Sequence, residues 1–496
     1  MTAVRIQRGI ARARHPVAGV LACALVLSGP AAAQSELPDI GNPVDQVLSP
    51  QDEAVIGRDM MLQARRQLDL NEDPEIAGYI DRLGQQLAAG VRGRPVDGFT
   101  FFVVRDPRIN AFAAPGGYVG INSGLILRAE NEAQLAGVLA HEIAHVAQRH
   151  IARAFAASSR NQYKTIAAIV AGLLLGGQAG QAAIAAGVAG EAQRQINYTR
   201  ANEYEADRIG IGLLAEAGYR PMGMSGFFEI LLRESGVSAA AVPEYLRTHP
   251  LSSNRIAEAA GRAEQMGDTS GLREDSLEFH LMQARLEVLD ARDPASLYSR
   301  WREASQPSGE YATAARRYGL ALLEQRLGRP AAAVERLQAL QRAEPDNLHY
   351  GLALSGALVD AGSVDAALET WRHLGALYPR RYAVVVQGAR LLQRAGEPAA
   401  AVDLLTEYVR NNDAPAPEAW RELGAAAEAA GRPVRSHESL GEYYARTHRY
   451  DQAIQQFRIA LDAAAANSAD AVRLRARLEQ VREQKRAQLE RNPIGG

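Results

Sequence analysis

Apolar side chains recur close to every 3.6 residues over Gln51–Leu68 and again over Asp73–Val91, which predicts two amphipathic helices. The texture then changes. Phe99-Thr100-Phe101-Phe102-Val103-Val104 and Gly117-Tyr118-Val119-Gly120-Ile121 read as short strands, with Pro115-Gly116-Gly117 as punctuation between them. Helical spacing returns at Asn131 and dominates the remainder. The pattern predicts a mainly α protein: an α+β domain with one small sheet, followed by an α-helical array.

The array has a period. Gly328, Gly362 and Gly396 are spaced by 34 residues, a step kept by Ala333, Ala367 and Ala401 and by Pro345 and Pro379. A 34-residue helix-turn-helix step is the tetratricopeptide signature. The Gly ends the first helix of each pair, the Ala lets two helices approach, and the Pro opens the next unit. Trp420, Leu423, Gly424 and Gly431 fit a further unit; Leu440, Gly441, Tyr444, Ala453 and Phe457 fit another. Leu423 and Leu440 stand only 17 residues apart, so one helix is expected to serve both units. Ala471–Leu489 reads as a charged capping helix. The expected division is residues 45–270 for the first domain, 271–309 for a helical connector and 310–490 for the repeat solenoid. Such arrays bind other polypeptides on a concave face.

The start of the chain has a third character. Arg5, Arg8, Arg12 and Arg14 stand without an acid, Val17–Leu27 is apolar, and Pro30-Ala31-Ala32-Ala33-Gln34 is small. This order describes a secretory signal peptide, residues 1–33, cleaved after Ala33. The apolar run is short for a membrane span. Cys23, the one cysteine, lies inside it, and its flank faintly resembles a lipoprotein signal. Export of this kind points to the periplasm. A second apolar stretch, Thr165–Gly190, is rich in Gly and Gln and poorly suited to spanning. It is read either as a hydrophobic flap touching membrane or unfolded clients, which would give a peripheral membrane contact, or as a buried helical hairpin.

Composition narrows the function classes. With 496 residues, 55 Lys+Arg against 57 Asp+Glu and net charge −2, the chain lacks the basic excess of a nucleic-acid binder. Loss of the signal removes four arginines and no acid, taking the charge from −2 to −6. The cysteine would leave with it. Any metal must then be held by His, Asp or Glu.

The candidate chemistry sits in His141-Glu142-Ile143-Ala144-His145. On a helix, positions i and i+4 share a face, so both imidazoles can reach one metal. Glu142 stands beside that metal and can take a proton from water. A catalytic zinc usually takes three protein ligands and leaves a place for water. The third is sought in Asn202-Glu203-Tyr204-Glu205-Ala206-Asp207. Glu203 could ligate while Asp207 braces an imidazole, but spacing alone does not choose Glu203 over Glu205. His150 lies nine residues past His141, on the opposite face of a continuous helix, and is read as no ligand. His280, His349, His373, His437 and His448 fall among the repeat helices and read as structural. Ala113, Ala114, Gly116 and Gly117 are small enough to form a sheet edge where a substrate strand could add; the alternative is an ordinary hairpin turn. His249, before Pro250, reads from chemistry alone either as a loop cap or as a further metal ligand.

The pair His141-Glu-x-x-His145 and Glu203-x-x-Ala206-Asp207, with Asn110-Ala111-Phe112-Ala113…Gly116-Gly117…Gly124-Leu125-Ile126 ahead of it, resembles the HtpX-like and CAAX-prenyl-protease-like zinc peptidases. These are gluzincins. The resemblance implies one Zn2+ per chain on His141, His145 and Glu203, with Glu142 as general base and Asp207 supporting a ligand. It also implies that His249 lies on a loop over the site as a regulatory fourth ligand. With a signal ahead and repeats behind, the architecture is similar to periplasmic peptidases that act in outer-membrane β-barrel assembly. That implies unfolded or misassembled outer-membrane proteins as substrates, chaperone-like action, and docking to the β-barrel assembly machinery through the repeats. The competing class is a non-enzymatic repeat scaffold.

Overall fold

Sequence signals set the ends of the first elements. In the computed structural model, which describes residues 43–490 apart from 92, 94, 158–191, 236–242, 306 and 413, helix α1 (Pro50–Gln67) starts at a capping box. Ser49 accepts from the Asp52 amide and the Asp52 side chain accepts from the Ser49 amide. Helix α2 (Pro74–Ala88) starts on Asp73, whose side chain accepts from two amides of the first turn. The expected signal peptide and the stretch Thr165–Gly190 lie outside the described residues.

The sheet has three strands, one more than the apolar pattern indicated. β1 (Thr100–Val104) runs parallel to β3 (Tyr118–Asn122), and β2 (Ala111–Ala114) pairs antiparallel with the other side of β3. β2 was hidden because four residues of Ala and Phe carry little β signal. Gly116 and Gly117 stand in the turn after β2, at φ 77° and 93°. A Cβ on Gly117 would come within 2.2 Å of the Gly98 carbonyl oxygen, so this turn requires glycine.

Helices α3 (Ser123–Arg128) and α4 (Glu132–Ala147) follow. The helix expected to run on past residue 147 breaks. Arg149 adopts φ 51° and α5 restarts at His150, running to Ala157. Two further helices, Ala192–Glu216 and Met222–Ser235, pack on α4. From Leu277 onward the chain is helical hairpins.

The repeats show why the 34-residue step was legible. After the first helix of a pair, Gly328, Gly362, Gly396 and Gly431 each take positive φ. Each time the glycine amide and the one after it bond back to carbonyls of the last turn, as in Gly362 to Val359 and Ser363 to Leu358. His448, at φ 57°, fills the same slot after Pro433–Arg446. Ala333, Ala367 and Ala401 are fully buried where helices cross. Pro433–Arg446 packs on both Pro417–Ala429 and Tyr450–Ala463, so one helix does serve two hairpins.

From Pro43 the chain is one compact unit. One hydrophobic cluster runs without interruption from Ile76 in α2 to Ala427 in the repeats. Polar contacts tie the array back onto the first domain. Arg65 of α1 meets Glu418 at 3.3 Å, Arg421 meets Glu72 at 2.8 Å, and Gln488 of the last helix donates to Asp59 of α1 at 2.6 Å. Among the described residues, no helix is long and apolar enough to cross a membrane.

Candidate metal centre

Helix α4 carries the site because it can be approached closely. It is capped by Asn131, whose side chain accepts from the Gln134 amide. Its sequence is mostly Ala, Leu, Val and Gly, and it is buried along nearly its whole length. Gly210, on the helix Ala192–Glu216, permits a close crossing: a Cβ there would lie 3.1 Å from the His141 amide nitrogen. That crossing brings Glu203 and Asp207 over the two histidines.

Four side chains then converge. His141 Nε2 lies 3.0 Å from His145 Nε2 and 3.3 Å from His249 Nδ1. Glu203 closes the figure, with Oε2 3.4 Å from His141 Nε2 and Oε1 3.3 Å from His145 Nε2. Both Glu203 oxygens are 3.2 Å from His249 Nδ1. A tetrahedron of ligands about 2.0 Å from a central zinc has edges of about 3.3 Å. The donor set and its spacing therefore fit a four-coordinate ion, and His141, His145, Glu203 and His249 form a group able to hold a metal.

The surrounding groups set charge and orientation. His141 Nδ1 sits 2.9 Å from Asp207 Oδ1, in a contact bent away from a straight hydrogen bond. Arg255 is almost fully buried; its Nε and Nη2 donate to the two Asp207 oxygens at 2.8 Å, and Nη1 reaches Glu203 at 2.9 Å. Burial alone would raise the Asp207 carboxyl; the close His141 ring and the hydrogen bonds from Arg255 outweigh it and hold it below the usual range. Burial likewise pushes the Glu203 carboxyl up, but the imidazoles packed around it, His249, His145 and His141, hold it well below the usual range. Burial also depresses both α4 imidazoles: it carries His145 down to about 3, while Asp207 and Glu203 lift His141 to about 10.

Glu142 is different. It is fully buried, and among the described residues no group donates a hydrogen bond to either carboxylate oxygen. His249 Nε2 lies 3.5 Å from its Oε1. His249 thus stands between Glu203 and Glu142. It caps the short helix Glu244–Thr248, donates its amide to Tyr245, and stacks its ring on the Tyr245 ring at 4.5 Å.

The two carboxylates that spacing could not separate lie apart in space. Glu203 joins the donor group, whereas Glu205 faces His150. His150 is no part of that group, yet it is not on the far side of α4. The αL turn at Arg149 swings it back, and its Nδ1 lies 2.8 Å from His145 Nδ1. Arg149 is held in that turn by Glu53, by the Leu48 carbonyl and by Asp45. Sequence reasoning passed over Arg255, whose only signal was a basic residue six positions past His249. Ala113 and Ala114 lie on the edge strand β2. With Pro115, Gly116, His145 and Val146 they line a cavity of about 210 Å³ beside the donor group.

Residues 74–263 match Peptidase family M48. The chain is 35% identical to a putative β-barrel assembly-enhancing protease of Vibrio cholerae, over 91% of its own length and 94% of that protein. It is 34% identical to the β-barrel assembly-enhancing protease of Escherichia coli, over 90% and 91%. A shorter similarity, 32% over 36% of this chain and 50% of the other, links it to a mitochondrial metalloendopeptidase of Schizosaccharomyces pombe.

Proposed function

The chain belongs to the β-barrel assembly-enhancing proteases, metallopeptidases of family M48, and from that membership we propose that it is a periplasmic zinc endopeptidase for quality control of outer-membrane β-barrel proteins. The observation that carries the catalytic part is the pairing of a tetrahedrally spaced donor group with a buried carboxylate, Glu142, that has no hydrogen-bond donor of its own. His141, His145 and Glu203 would hold one zinc. When bound, it supplies a Lewis acid that polarises a peptide carbonyl and acidifies a water. Glu142 would take a proton from the attacking water and deliver it to the departing amine. Asp207, clamped by Arg255, keeps the His141 ring turned toward the site.

A client strand would add to the outer edge of β2 at Ala111–Ala114, next to the cavity beside His145. Gly116 and Gly117 form the tight turn that ends this edge. His249 occupies the fourth donor position and fills the space next to Glu142, so the resting enzyme is latent and opens when the loop withdraws. The division into a peptidase at 45–270, a connector at 271–309 and repeats at 310–490 belongs to the same proposal. The repeats dock polypeptide partners, the β-barrel assembly machinery among them, and lend a chaperone-like role.

The test uses purified full-length protein, zinc-loaded, and an unfolded outer-membrane β-barrel protein. Glu142→Gln should lower kcat/KM by about 10²–10⁴-fold while retaining zinc. His249→Ala should retain zinc and cut faster than the parent. If the parent and His249→Ala both fail to cut, or Glu142→Gln cuts as well as its parent, the peptidase reading fails.

A further inference from the structure

We propose that His150 and Glu205 are positioning residues for the metal ligand His145, fixing which of its ring nitrogens carries the proton. The proposal rests on the metal reading above. His145 turns Nε2 toward His141 and Glu203. To ligate there, Nε2 must offer a lone pair, so the ring proton sits on Nδ1. His150 Nδ1 is 2.8 Å from that Nδ1. It can accept only if His150 carries its own proton on Nε2. That Nε2 lies 3.2 Å from Glu205 Oε2, a carboxylate oxygen able to accept it. Each assignment forces the next, and the chain runs in one direction: Glu205, His150, His145, metal. Arg153 donates to the same Glu205 oxygen at 2.6 Å and keeps it an anion.

The two α4 histidines are therefore braced in different ways. His141 leans directly on Asp207, which is buried and clamped by Arg255. His145 leans on a second imidazole, itself buried, which passes the contact to a partly exposed carboxylate. The arrangement depends on the break after α4. On a continuous helix a residue five past His145 would point about 140° away; the αL turn at Arg149 is what brings His150 round. Partners of this kind typically contribute a factor of about 10–100 in metal affinity.

The test is zinc affinity of the full chain, read by competition with a chromophoric chelator, together with melting of the metal-free protein. His150→Phe keeps the ring and removes both nitrogens; it should weaken zinc binding about 10–100-fold. His150→Gln can accept from His145 through its carbonyl and donate to Glu205 through its amide, so it should recover most of the loss. Glu205→Leu should weaken binding in the parent and add little to His150→Phe, because the contacts act in series. The metal-free variants should melt alike. Parent-like affinity in His150→Phe, no recovery in His150→Gln, or independent losses from the two sites would overturn the relay. If His150→Phe does not fold, parent-like affinity in Glu205→Leu does so. A parent that binds no zinc would instead sink the metal reading itself.

Discussion

The metal centre and the repeat array are built from the same element, packed helix pairs, and bury opposite things. The array buries Ala, Leu and Val, and its buried charges come with partners, as Glu324 does with Arg336 at 2.6 Å. The centre buries His141, Glu142, Glu203, Asp207 and Arg255 within a few ångströms of one another, and leaves Glu142 without a donor. The first arrangement is what stability alone selects. The second is unfavourable without a function to hold it in place.

Three substitutions sharpen this contrast. Arg255→Leu would leave Glu203 and Asp207 buried without their shared cation. It should destabilise the fold by about 3–5 kcal/mol and weaken zinc binding, read by chemical denaturation and chelator competition. Leu405→Ala, at a fully buried repeat position, should cost about 2–5 kcal/mol as a cavity, with zinc affinity unchanged. Gly362→Ala forces a side chain into φ 80° and should cost about 1–2 kcal/mol, again without touching zinc. A repeat substitution that altered metal affinity, or an Arg255→Leu protein that bound zinc like its parent, would erase the distinction.

Sequence made the two regions legible to different depths. The 34-residue step survives translation into structure because each Gly, Ala and Pro acts locally, on its own turn or crossing. His141 and His145 are equally local, one helical turn apart. The choice between Glu203 and Glu205 was not, since it depends on how the helix Ala192–Glu216 is rotated when Gly210 meets α4. His150 was misplaced because periodicity assumes an unbroken helix, and one αL residue cancels that assumption. Arg255 acts across 48 residues on Asp207, a distance that no periodic pattern encodes.

The contacts of Arg65 with Glu418, Arg421 with Glu72 and Gln488 with Asp59 have a mechanical meaning. A free solenoid stretches like a spring, because each repeat touches only its neighbours. Here the coil is fastened to the first domain at its middle and again near its last helix. Its position relative to α1 is fixed by these contacts, so a load on the array would pass into α1 instead of being absorbed as stretch. From α1 that load has a short route to the centre: Glu53, one turn into α1, grips the Arg149 whose turn places His150.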